Sequence, residues 1–431
     1  IQRGQIMGKR NQGRKILIQT GFLLGTLLLF AACSKKVAIV PYDSSSQQLA
    51  VTRTALADGY VSPCRNPLNY LPDAKHAGFH RMKTVRMAWH AVDDTKGGNN
   101  FTPEKGNAFF YLLVENANFR LRSNKAMSLP VGNTTPVLDP MFQWQITPSK
   151  GYEKENGYYY QSQEKPLFFL NKGPQRSDYN ADVIKELGVG LDTILNVFVI
   201  PFPPDSVAKQ KFRMNESGIA LGNHVKLGGL FQSKKPEWEY ATLLSHEIGH
   251  VFGLSHAWHN DSCDDTPTHA NCWNTTGTPP CEGPVSNNLM DYNSEMMALT
   301  PCQIGRVHMK MSDTLAAPRK FVIPWWCQND TSKTYVIRDT VEWLGGRDID
   351  ASVVIEKGGS LKVCCRLGMP QASSILVKTG GTLILEEVTI HNDCGHQWHG
   401  IQIETIGKES GQIKEFGRVV IADVAGANKK A

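Results

Sequence analysis

The stretch HEIGHVFGLSH, residues 246–256, decides how the fold of this chain is interpreted. His246 and His250 lie four positions apart, about one helical turn, so both imidazoles can face the same point. Glu247 follows the first histidine and can reach a water molecule held at that point. The spacing therefore predicts an amphipathic helix that presents two metal ligands with a carboxylate beside them.

Two further residues extend this pattern beyond the helix. Gly253 is expected to end the helix in a left-handed turn, after which the chain doubles back and delivers His256 as a third ligand. Three histidines leave one position of a tetrahedral zinc ion open to water, which is typical of catalytic sites. Zinc lowers the pKa of that water towards about 7, and Glu247 is expected to accept its proton as general base. The alternative is that these histidines are hydrogen-bonded polar residues of an ordinary helix. The nearby His259 is interpreted as a surface residue.

The residues on both sides of this motif resemble those of the metzincin metalloproteases. The metzincin signature H-E-x-x-H-x-x-G-x-x-H is matched throughout residues 246–256, and 288-NLMDY-292 resembles the downstream Met-turn. The resemblance implies an α+β catalytic domain with a mixed twisted sheet, an active-site helix and an irregular, disulfide-bearing lower subdomain. It also implies that Met290 underlies the zinc site. Tyr292 is implied to lie beside the metal, where it can hydrogen-bond the tetrahedral intermediate.

A finer resemblance is to the pappalysin (cytophagalysin) family of metzincins. It is carried by DTP at 265–267, NLMDY at 288–292 and TPCQIGRVHM at 300–309, in addition to the histidine motif. The similar region covers roughly residues 83–312. The resemblance implies a zinc metalloendopeptidase that acts on proteins or peptides.

Four cysteines punctuate the irregular stretch after the active-site helix, namely Cys263, Cys272, Cys281 and Cys302. Their spacing resembles the pappalysin pattern, which implies the pairs Cys263–Cys281 and Cys272–Cys302. Spacing alone permits three connectivities and does not choose among them.

The pappalysin resemblance also implies calcium in this lower subdomain. Asp264, Asp265 and Thr266 offer oxygen ligands of the hard type that calcium prefers. The alternative is a solvated acidic turn. We therefore expect one catalytic zinc ion, and calcium as a second metal at this turn.

The resemblance further implies how a substrate binds. Peptides are expected to lie along the edge strand that precedes the active-site helix, backbone to backbone. By its order in the chain, this strand consists of Gly218, Ile219, Ala220 and Leu221. Specificity is expected from a pocket walled by the segment after Met290, where Glu295 is interpreted as a solvated loop acid.

The amino-terminal region indicates export. Residues 16–32 read ILIQTGFLLGTLLLFAA, basic residues precede them, and Cys33 follows at once. This pattern predicts a signal peptide over residues 1–32, because the run is short for a membrane span of about 20 residues. Its end resembles the lipobox of bacterial lipoproteins, which implies lipidation of Cys33 and anchoring in the cell envelope. The alternative is an ordinary signal peptide with a bystander cysteine.

Outside the cytoplasm the remaining cysteines can form disulfides. Nine of the ten cysteines remain once Cys33 is set aside, so an odd one is left over. Cys64 lies upstream of the expected catalytic domain, and one hypothesis is that its thiolate acts as a latency switch on the zinc ion. A structural disulfide or an idle thiol is the alternative for Cys64.

The 431 residues are enough for two or three domains. The net charge of +6 is modest, and no cluster of basic residues indicates a groove for nucleic acid. The sequence gives no indication of oligomeric state. The expected organisation is a signal peptide at 1–32, a tether and pro-segment at 33–82, a peptidase domain at 83–315, a linker at 316–344 and an all-β region at 345–431. Strands are predicted at 85–92, 143–146, 167–170, 195–200, 218–221 and 225–227, and helices at 104–119 and 237–254.

The all-β region contains a repeat. VVIEKGGSLKV at 353–363 and ILVKTGGTLIL at 375–385 superimpose at an offset of 22 residues, and GRVVIADV at 417–424 looks like a third copy. Short strands that recur at about 20 residues, with glycines at the bends, predict coils of a parallel β-helix. The alternative is a small β-sandwich. Because solenoids need about three or more repeats and a cap, the chain is interpreted as a fragment of a longer protein.

These patterns favour a lipid-anchored zinc endopeptidase of the cell envelope, facing the periplasm or the cell surface, or a secreted form. A second hypothesis makes the protein a surface adhesin or glycan-binding lipoprotein in which the β-helix carries the main role. Trp343 and Trp398 are the aromatic residues that such binding would use, although packed aromatics are the commoner case.

Overall fold

The computed structural model describes residues 36–42, 51–148, 156–165, 179–202 and 218–426. The predicted signal peptide, Cys33 and the strand predicted at 167–170 lie outside these ranges. Within them, no helix has both the length and the apolar character that a membrane crossing requires.

The amino-terminal segment consists of short elements that are fixed by polar caps. Its elements are strands β1 (Val37–Pro41) and β2 (Val51–Thr54) and the 3-10 helices Pro63–Arg65, Pro67–Tyr70 and Ala74–Phe79. Each 3-10 helix follows a residue whose side chain accepts a backbone N–H, namely Ser62, Asn66 and Asp73. Such caps satisfy donors that a short helix leaves free.

A sheet of six strands supports the first half of the molecule. Its strands are β3 (Lys83–Asp93), β4 (Phe142–Ile146), β5 (Tyr158–Ser162), β6 (Leu195–Ile200), β7 (Gly218–Leu221) and β8 (His224–Gly228). The order is β4-β3-β6-β8-β7, with β5 also beside β3, and all pairs are parallel except β7 with β8. β3 and β6 are buried along nearly their whole length, as expected for central parallel strands covered on both faces.

In the described ranges, five α-helices accompany this sheet: α1 (Pro103–Arg122), α2 (Asp182–Leu187), α3 (Leu230–Ser233), α4 (Ala241–Val251) and α5 (Pro301–Ser312). The helix predicted at 237–254 corresponds to α4 and the preceding 3-10 turn Glu237–Tyr240. α1 and α4 share one hydrophobic cluster with the sheet, which includes Trp89, Phe110 and Ile248. The strand and helix predictions that lie in the described ranges are confirmed to within a few residues.

The stretch between α4 and α5 is irregular, and its disulfides differ from the expected pairs. The structure pairs Cys263 with Cys302 and Cys272 with Cys281, so the predicted connectivity is wrong. The reason is a local cap. The Asp265 carboxylate accepts the backbone N–H of Cys302 at the start of α5, which brings the loop containing Cys263 to that cysteine. Cys272 and Cys281 then close a short loop of their own.

Two mainly parallel sheets form the carboxyl-terminal region. Their strands are β9 (Thr334–Ile337), β10 (Thr340–Trp343), β11 (Arg347–Asp348), β12 (Ser352–Ile355), β13 (Ser360–Gly368), β14 (Ile375–Val377), β15 (Thr382–His391), β16 (Ile401–Ile406), β17 (Glu409–Ser410) and β18 (Gln412–Ile421). One sheet has the order β1-β16-β14-β12-β9 and the other β10-β13-β15-β18-β2. Buried residues of both sheets, such as Val353 and Leu383, share one hydrophobic cluster. Strands therefore begin at Thr334, inside the stretch expected to be a linker.

The predicted repeat corresponds to strands that pair in parallel. Val353 pairs with Ile375 and Leu361 with Leu383, so equivalent residues of the two copies lie side by side. The Gly-Gly of each copy forms the bend between its two strands. Gly358 has a φ of 84°, and a Cβ on the following Gly359 would lie 2.3 Å from the Ile337 oxygen. The first glycine thus supplies a left-handed conformation and the second permits close backbone approach.

The amino-terminal segment joins these carboxyl-terminal sheets. β1 pairs antiparallel with β16, and β2 pairs parallel with β18. The sequence predicted a tether and pro-segment here because the stretch is polar and lacks a clear pattern. The structure instead places two of its parts at sheet edges, where backbone hydrogen bonds compensate for weak side-chain patterning.

Two disulfides join the carboxyl-terminal region, hereafter the second region, to earlier parts of the chain. Cys64 forms a disulfide with Cys365, and Cys327 forms one with Cys394. The latency-switch hypothesis for Cys64 is therefore wrong, because the thiol is bonded to a strand of the second region. Among the described cysteines, the odd one left over is Cys364, which is free and buried.

The Gly305→Ala change tests the packing of α5 on the amino-terminal segment. A Cβ at this position would lie 2.2 Å from the Pro67 oxygen. Overpacking costs about 1–3 kcal/mol, and a clash this short with a backbone atom falls in the upper part of that range, about 2–3 kcal/mol. The gain in helix propensity from glycine to alanine is about 1 kcal/mol. We expect a net loss of about 1–2 kcal/mol in the free energy of unfolding, measured by denaturant titration under oxidising conditions. The control is Gly283→Ala, since nothing lies within 4 Å of a Cβ there. Equal stability of both variants would contradict this packing.

Candidate metal centre

Helix α4 presents His246 and His250 from one face and ends as the sequence predicted. Gly253 has a φ of 87°, and the Leu254 N–H donates to the Gly249 carbonyl oxygen at 3.0 Å. The Gly253 N–H donates to the His250 carbonyl oxygen at 2.9 Å. This pair of bonds is a Schellman cap, which reverses the chain direction directly after the helix. The reversal brings His256 back to the two helical histidines.

The three imidazoles converge through their Nε2 atoms. Nε2 of His250 lies 3.1 Å from Nε2 of His246 and 3.1 Å from Nε2 of His256. The Nδ1–H of His246 donates to the Leu289 oxygen and that of His250 to the Leu254 oxygen, each at 2.8 Å. A neutral imidazole that donates from Nδ1 carries a lone pair at Nε2. At His246 and His250, therefore, two lone pairs face each other with no proton between them.

This donor set fits a tetrahedral zinc ion. Zn–N bonds of about 2.0–2.1 Å place neighbouring ligand nitrogens about 3.3–3.4 Å apart, close to the observed 3.1 Å. All three ligand atoms lie within 4.8 Å of one another. A cation at their centre removes the repulsion between the lone pairs. His246, His250 and His256 are therefore the residues that would hold the metal.

Burial favours the neutral form of these histidines. It lowers the pKa of His246 to about 3 and that of His256 to about 4, and it also lowers the pKa of His250. Neutral imidazole is the form that binds metals. No proton needs to be displaced at neutral pH before the site can accept an ion.

Glu247 is buried next to the first histidine and lies against the edge of the sheet. Only 6% of its surface is exposed. A Cβ on Gly218, the first residue of β7, would lie 2.6 Å from its Oε1 atom. The absence of a side chain at Gly218 therefore leaves the space that the Glu247 carboxylate occupies.

Two residues of the NLMDY segment, Met290 and Tyr292, pack near the three histidines. Met290 is fully buried, and a Cβ on Gly249 of α4 would lie 2.6 Å from its sulfur. The ring of Tyr292 lies 5.0 Å from that of His256 and 5.7 Å from that of His246, measured between centroids. Tyr292 is 38% exposed, so it borders the metal centre on its open side.

Several supporting residues were missed at the level of sequence. Trp258 stacks on His256 with 4.0 Å between ring centroids and an angle of 15°. The backbone N–H of Trp258 donates to Asp291 Oδ1 at 3.0 Å, and Asp291 Oδ2 accepts from the Ser286 hydroxyl at 2.5 Å. Asp291 belongs to NLMDY, so the motif was the sequence signal for it, although its partner Trp258 lies 33 residues away in the sequence.

An amide pair joins the same turn to helix α5. The Asn288 Nδ2 donates to Gln303 Oε1 at 2.9 Å, and the Gln303 Nε2 donates back to Asn288 Oδ1 at 3.1 Å. Gln303 also forms a capping box with Thr300 at the start of α5. The NLMDY and TPCQIGRVHM segments, separate in the sequence, thus form one hydrogen-bonded unit.

The residues expected to bind calcium take up different positions. Asp264 is exposed, while Asp265 accepts the Cys302 N–H and keeps a second, buried carboxylate oxygen without a hydrogen-bond partner. The Thr266 hydroxyl donates to Asp261 at 2.7 Å. Calcium at this turn stays a prediction. His259 is exposed and lies outside the histidine cluster, as expected.

Two features border the metal centre where a substrate would approach. β7 lies at the end of the sheet order, with β8 as its partner among the described strands. A small cavity of about 20 Å³ lies beside His246, and its lining includes Leu243, Trp273 and Met296. Glu295 is exposed, in agreement with a solvated loop acid.

A comparison with known protein families matches one segment of the chain. Residues 214–315 match the family model described as metallo-peptidase family M12B reprolysin-like. This match supports a metalloprotease and implies a catalytic zinc. No curated protein sequence matches the chain significantly.

Among solved structures, the chain is similar to mirolysin from Tannerella forsythia. Mature mirolysin in complex with a cleaved peptide has a TM-score of 0.41 and 17% identity, over 56% of this chain and 96% of that chain. Mirolysin in complex with compound 9 has a TM-score of 0.40 and 16% identity, over the same shares of 56% and 96%. A promirolysin mutant from the same organism has a TM-score of 0.38 and 15% identity, over 56% of this chain and 84% of that chain.

The His256→Ala change tests the three-histidine site. We expect purified wild-type protein to retain about one zinc ion per chain after dialysis, because three imidazoles provide a complete set of protein ligands. The variant should lose more than about 100-fold in zinc affinity, since even changes to residues that only support a ligand cost about 10–100-fold. Elemental analysis against a competing chelator measures both. His259→Ala is the matched control and should bind zinc as the wild type does. Equal zinc content in the two variants would contradict the assignment of His256.

Proposed function

We propose that this chain is a zinc-dependent endopeptidase of the metzincin type, close to the pappalysins, that hydrolyses peptide bonds in proteins. The observation that carries the proposal is the convergence of three neutral imidazoles, with Glu247 buried on the same helix. The metallopeptidase match over residues 214–315 supports it. The order of the histidine motif, the NLMDY turn and the TPCQIGRVHM helix supports the pappalysin subtype.

The roles of the individual residues follow from their positions. When bound, zinc supplies a Lewis acid that lowers the pKa of water and polarises a carbonyl group. Glu247 accepts the proton of the attacking water and passes it to the leaving amine. Its burial beside Gly218 holds the carboxylate in place and limits its hydration. Tyr292 donates a hydrogen bond to the oxygen that becomes negatively charged as the peptide carbonyl is attacked.

The substrate binds as an additional strand along β7. The outer edge of a terminal strand offers backbone N–H and C=O groups to an extended peptide. Because β7 begins at Gly218, directly against Glu247, a peptide paired with it would pass the general base. The apolar cavity beside His246, with Leu243, Trp273 and Met296, accepts a small or apolar substrate side chain.

The carboxyl-terminal region is proposed to be a short parallel β-helix that is part of the same enzyme. Parallel pairing between equivalent residues of the 22-residue repeat supports this architecture. The hypothesis of an adhesin or glycan-binding protein is less well supported. Trp343 and Trp398, the aromatics that it singled out, are 1% and 0% exposed and cannot stack on a sugar.

Export and anchoring complete the proposal. The signal-like residues 1–32 and the position of Cys33 support a lipoprotein of the cell envelope, and four disulfides among the described residues are typical of an oxidising compartment. The buried, unpartnered Asp265 oxygen supports a calcium ion at the turn 264–266.

The Glu247→Gln change tests the proposed general base. We expect the rate of casein cleavage to fall by about 100- to 10,000-fold, because the amide cannot accept the proton of water. Zinc content should stay at the wild-type level, since the histidines are unchanged. Glu282→Gln, at an exposed position of the same irregular stretch, is the matched control and should cleave normally. Chelator-sensitive cleavage at an undiminished rate by the Glu247→Gln variant would refute the mechanism.

The Gly218→Ala change tests the position of the carboxylate separately from its chemistry. The new Cβ would approach Glu247 Oε1 to 2.6 Å and displace the carboxylate. A shift of about 1 Å can cost about 100-fold, so we expect kcat to fall by about 10- to 100-fold with zinc content unchanged. Steady-state kinetics on a fluorogenic peptide and elemental analysis measure the two quantities. The Gly283→Ala variant serves as control, and an unchanged kcat in Gly218→Ala would show that this contact is not needed.

A further inference from the structure

A small, partly open cavity with basic walls lies away from the metal centre, where four parts of the chain meet. Its volume is about 40 Å³. Lys83 on β3 and Ser312 on α5 belong to the part of the chain that runs from β3 to α5, hereafter the peptidase half. His80 belongs to the amino-terminal segment, Trp325 to the stretch after α5, and Arg347 to the second region. A space of about 10–15 Å³ already holds one water molecule, so this cavity has room for a small ion with one or two waters.

Lys83 and Arg347 bring positive charge to this cavity without a carboxylate partner. Within the described ranges, the polar contact of the Lys83 Nζ is with the Ser312 hydroxyl at 3.3 Å. Arg347 Nη1 has two long contacts of 3.4 Å, to the Phe79 oxygen and to His80 Nε2. His80 Nε2 already accepts the Asp73 N–H at 2.6 Å. Neither group therefore forms a direct ion pair with a described residue, although Asp348 attracts both of them from a greater distance.

The acidic groups of the neighbourhood are already engaged elsewhere. Asp348 lines the same cavity, but both of its carboxylate oxygens accept from Arg319, and one also accepts from Arg366. Arg81 lines the cavity as well and is neutralised by Asp350 at 2.9 Å. The walls thus carry two partly buried basic groups that have no ion-pair partner among the described residues. Desolvating the charge of such a group has a cost, which a bound anion would offset.

Three other polar groups of the wall include one unpartnered donor and two side chains whose hydrogen bonds are already made. The Trp325 indole N–H is buried without a hydrogen-bond partner. His308 Nε2 donates to the Pro140 oxygen at 2.8 Å and so leaves no acceptor there. Ser312 donates its proton to the His308 carbonyl oxygen at 2.8 Å. An unpartnered N–H beside two unpartnered cations is the pattern of donors that surrounds a bound anion.

We propose that this cavity binds one small inorganic anion, chloride, held by Lys83 Nζ, the Arg347 guanidinium and the Trp325 indole N–H. Its volume of about 40 Å³ suits a small ion better than a larger organic anion. The ion neutralises the excess charge at the junction of the amino-terminal segment, the peptidase half and the second region. It therefore stabilises their association. The proposal is independent of the protease assignment, because none of these residues contacts the three histidines.

The electrostatic state of the two cations is consistent with this site. Burial lowers the pKa of Lys83 to about 7. Attraction to Asp348 opposes this shift, and repulsion from Arg319, Arg366 and Arg347 adds to it. Burial also lowers the pKa of Arg347 to about 10. A bound anion opposes both shifts and keeps the two groups charged at neutral pH.

Thermal unfolding of the full chain tests the proposal. Chloride is varied from zero to about 0.3 M, with gluconate, which is too large for the cavity, replacing it so that ionic strength and screening stay constant. We expect the Tm of the wild type to rise by about 2–4 °C with chloride, because a ligand that binds only the folded state stabilises it. Lys83→Met should lose this rise. Lys320→Met, at an exposed position, is the matched control and should keep it.

Two results would overturn the proposal: a wild-type Tm that does not depend on chloride, or a Lys83→Met variant that keeps the whole chloride-dependent rise. A second measurement decides the case in which Lys83→Met does not fold. Crystals of the wild type grown in sodium bromide should show an anomalous peak in the cavity, between Lys83 and Arg347. Density for water alone, with no anomalous signal, would refute anion binding there.

Discussion

Two hydrogen bonds from imidazole Nδ1 atoms to backbone carbonyls determine what the metal centre can do. They fix the tautomers of His246 and His250, so that both Nε2 lone pairs point at one place. Without them, either ring could turn its N–H inward, and one Nε2 could donate to the other instead of binding a cation. The acceptors belong to Leu289 and Leu254, which lie in irregular backbone. The geometry of the site therefore depends on two loops being held as firmly as the helix itself.

The structure holds each loop by a different device. Leu254 follows Gly253, whose left-handed conformation closes the helix with two backbone bonds and aims the next carbonyl at His250. Leu289 has no such local cap. It lies next to Asn288, whose amide pairs with Gln303 on α5, and that helix is itself tied to the lower loops by the Cys263–Cys302 disulfide. Second-layer contacts of this kind orient metal ligands and are as much a part of a site as the ligands are. The buried polar residues around NLMDY thus hold the Leu289 carbonyl in the position from which it accepts the Nδ1–H of His246.

What could be predicted from the sequence follows from the range of the interactions involved. The i and i+4 histidines, the glycine after the helix and the Gly-Gly bends are set by local backbone geometry, and the structure agrees with each of them. The predicted disulfide pairs were wrong because Asp265, which caps α5 from 37 residues away, brings Cys263 to Cys302. The spacing of the cysteines gives no information about that hydrogen bond. The strands β1 and β2 were missed because their partners lie more than 350 residues further on. The basic cavity was invisible for the same reason, since its walls come from four separated parts of the chain.

The buried ions at this junction bear on whether the second region can act alone. Arg319, from the stretch after α5, is 5% exposed and pairs with Asp348 and Asp393 of the second region. Removing one member of such a set leaves a desolvated charge, which typically costs about 3–5 kcal/mol, even though the intact set adds little net stability. Separation of the two regions would therefore expose a surface built for ion pairs and would break the Cys64–Cys365 link. These contacts therefore argue against a second region that acts as an independent binding module. The same contacts give the second region a fixed position relative to the preceding part of the chain.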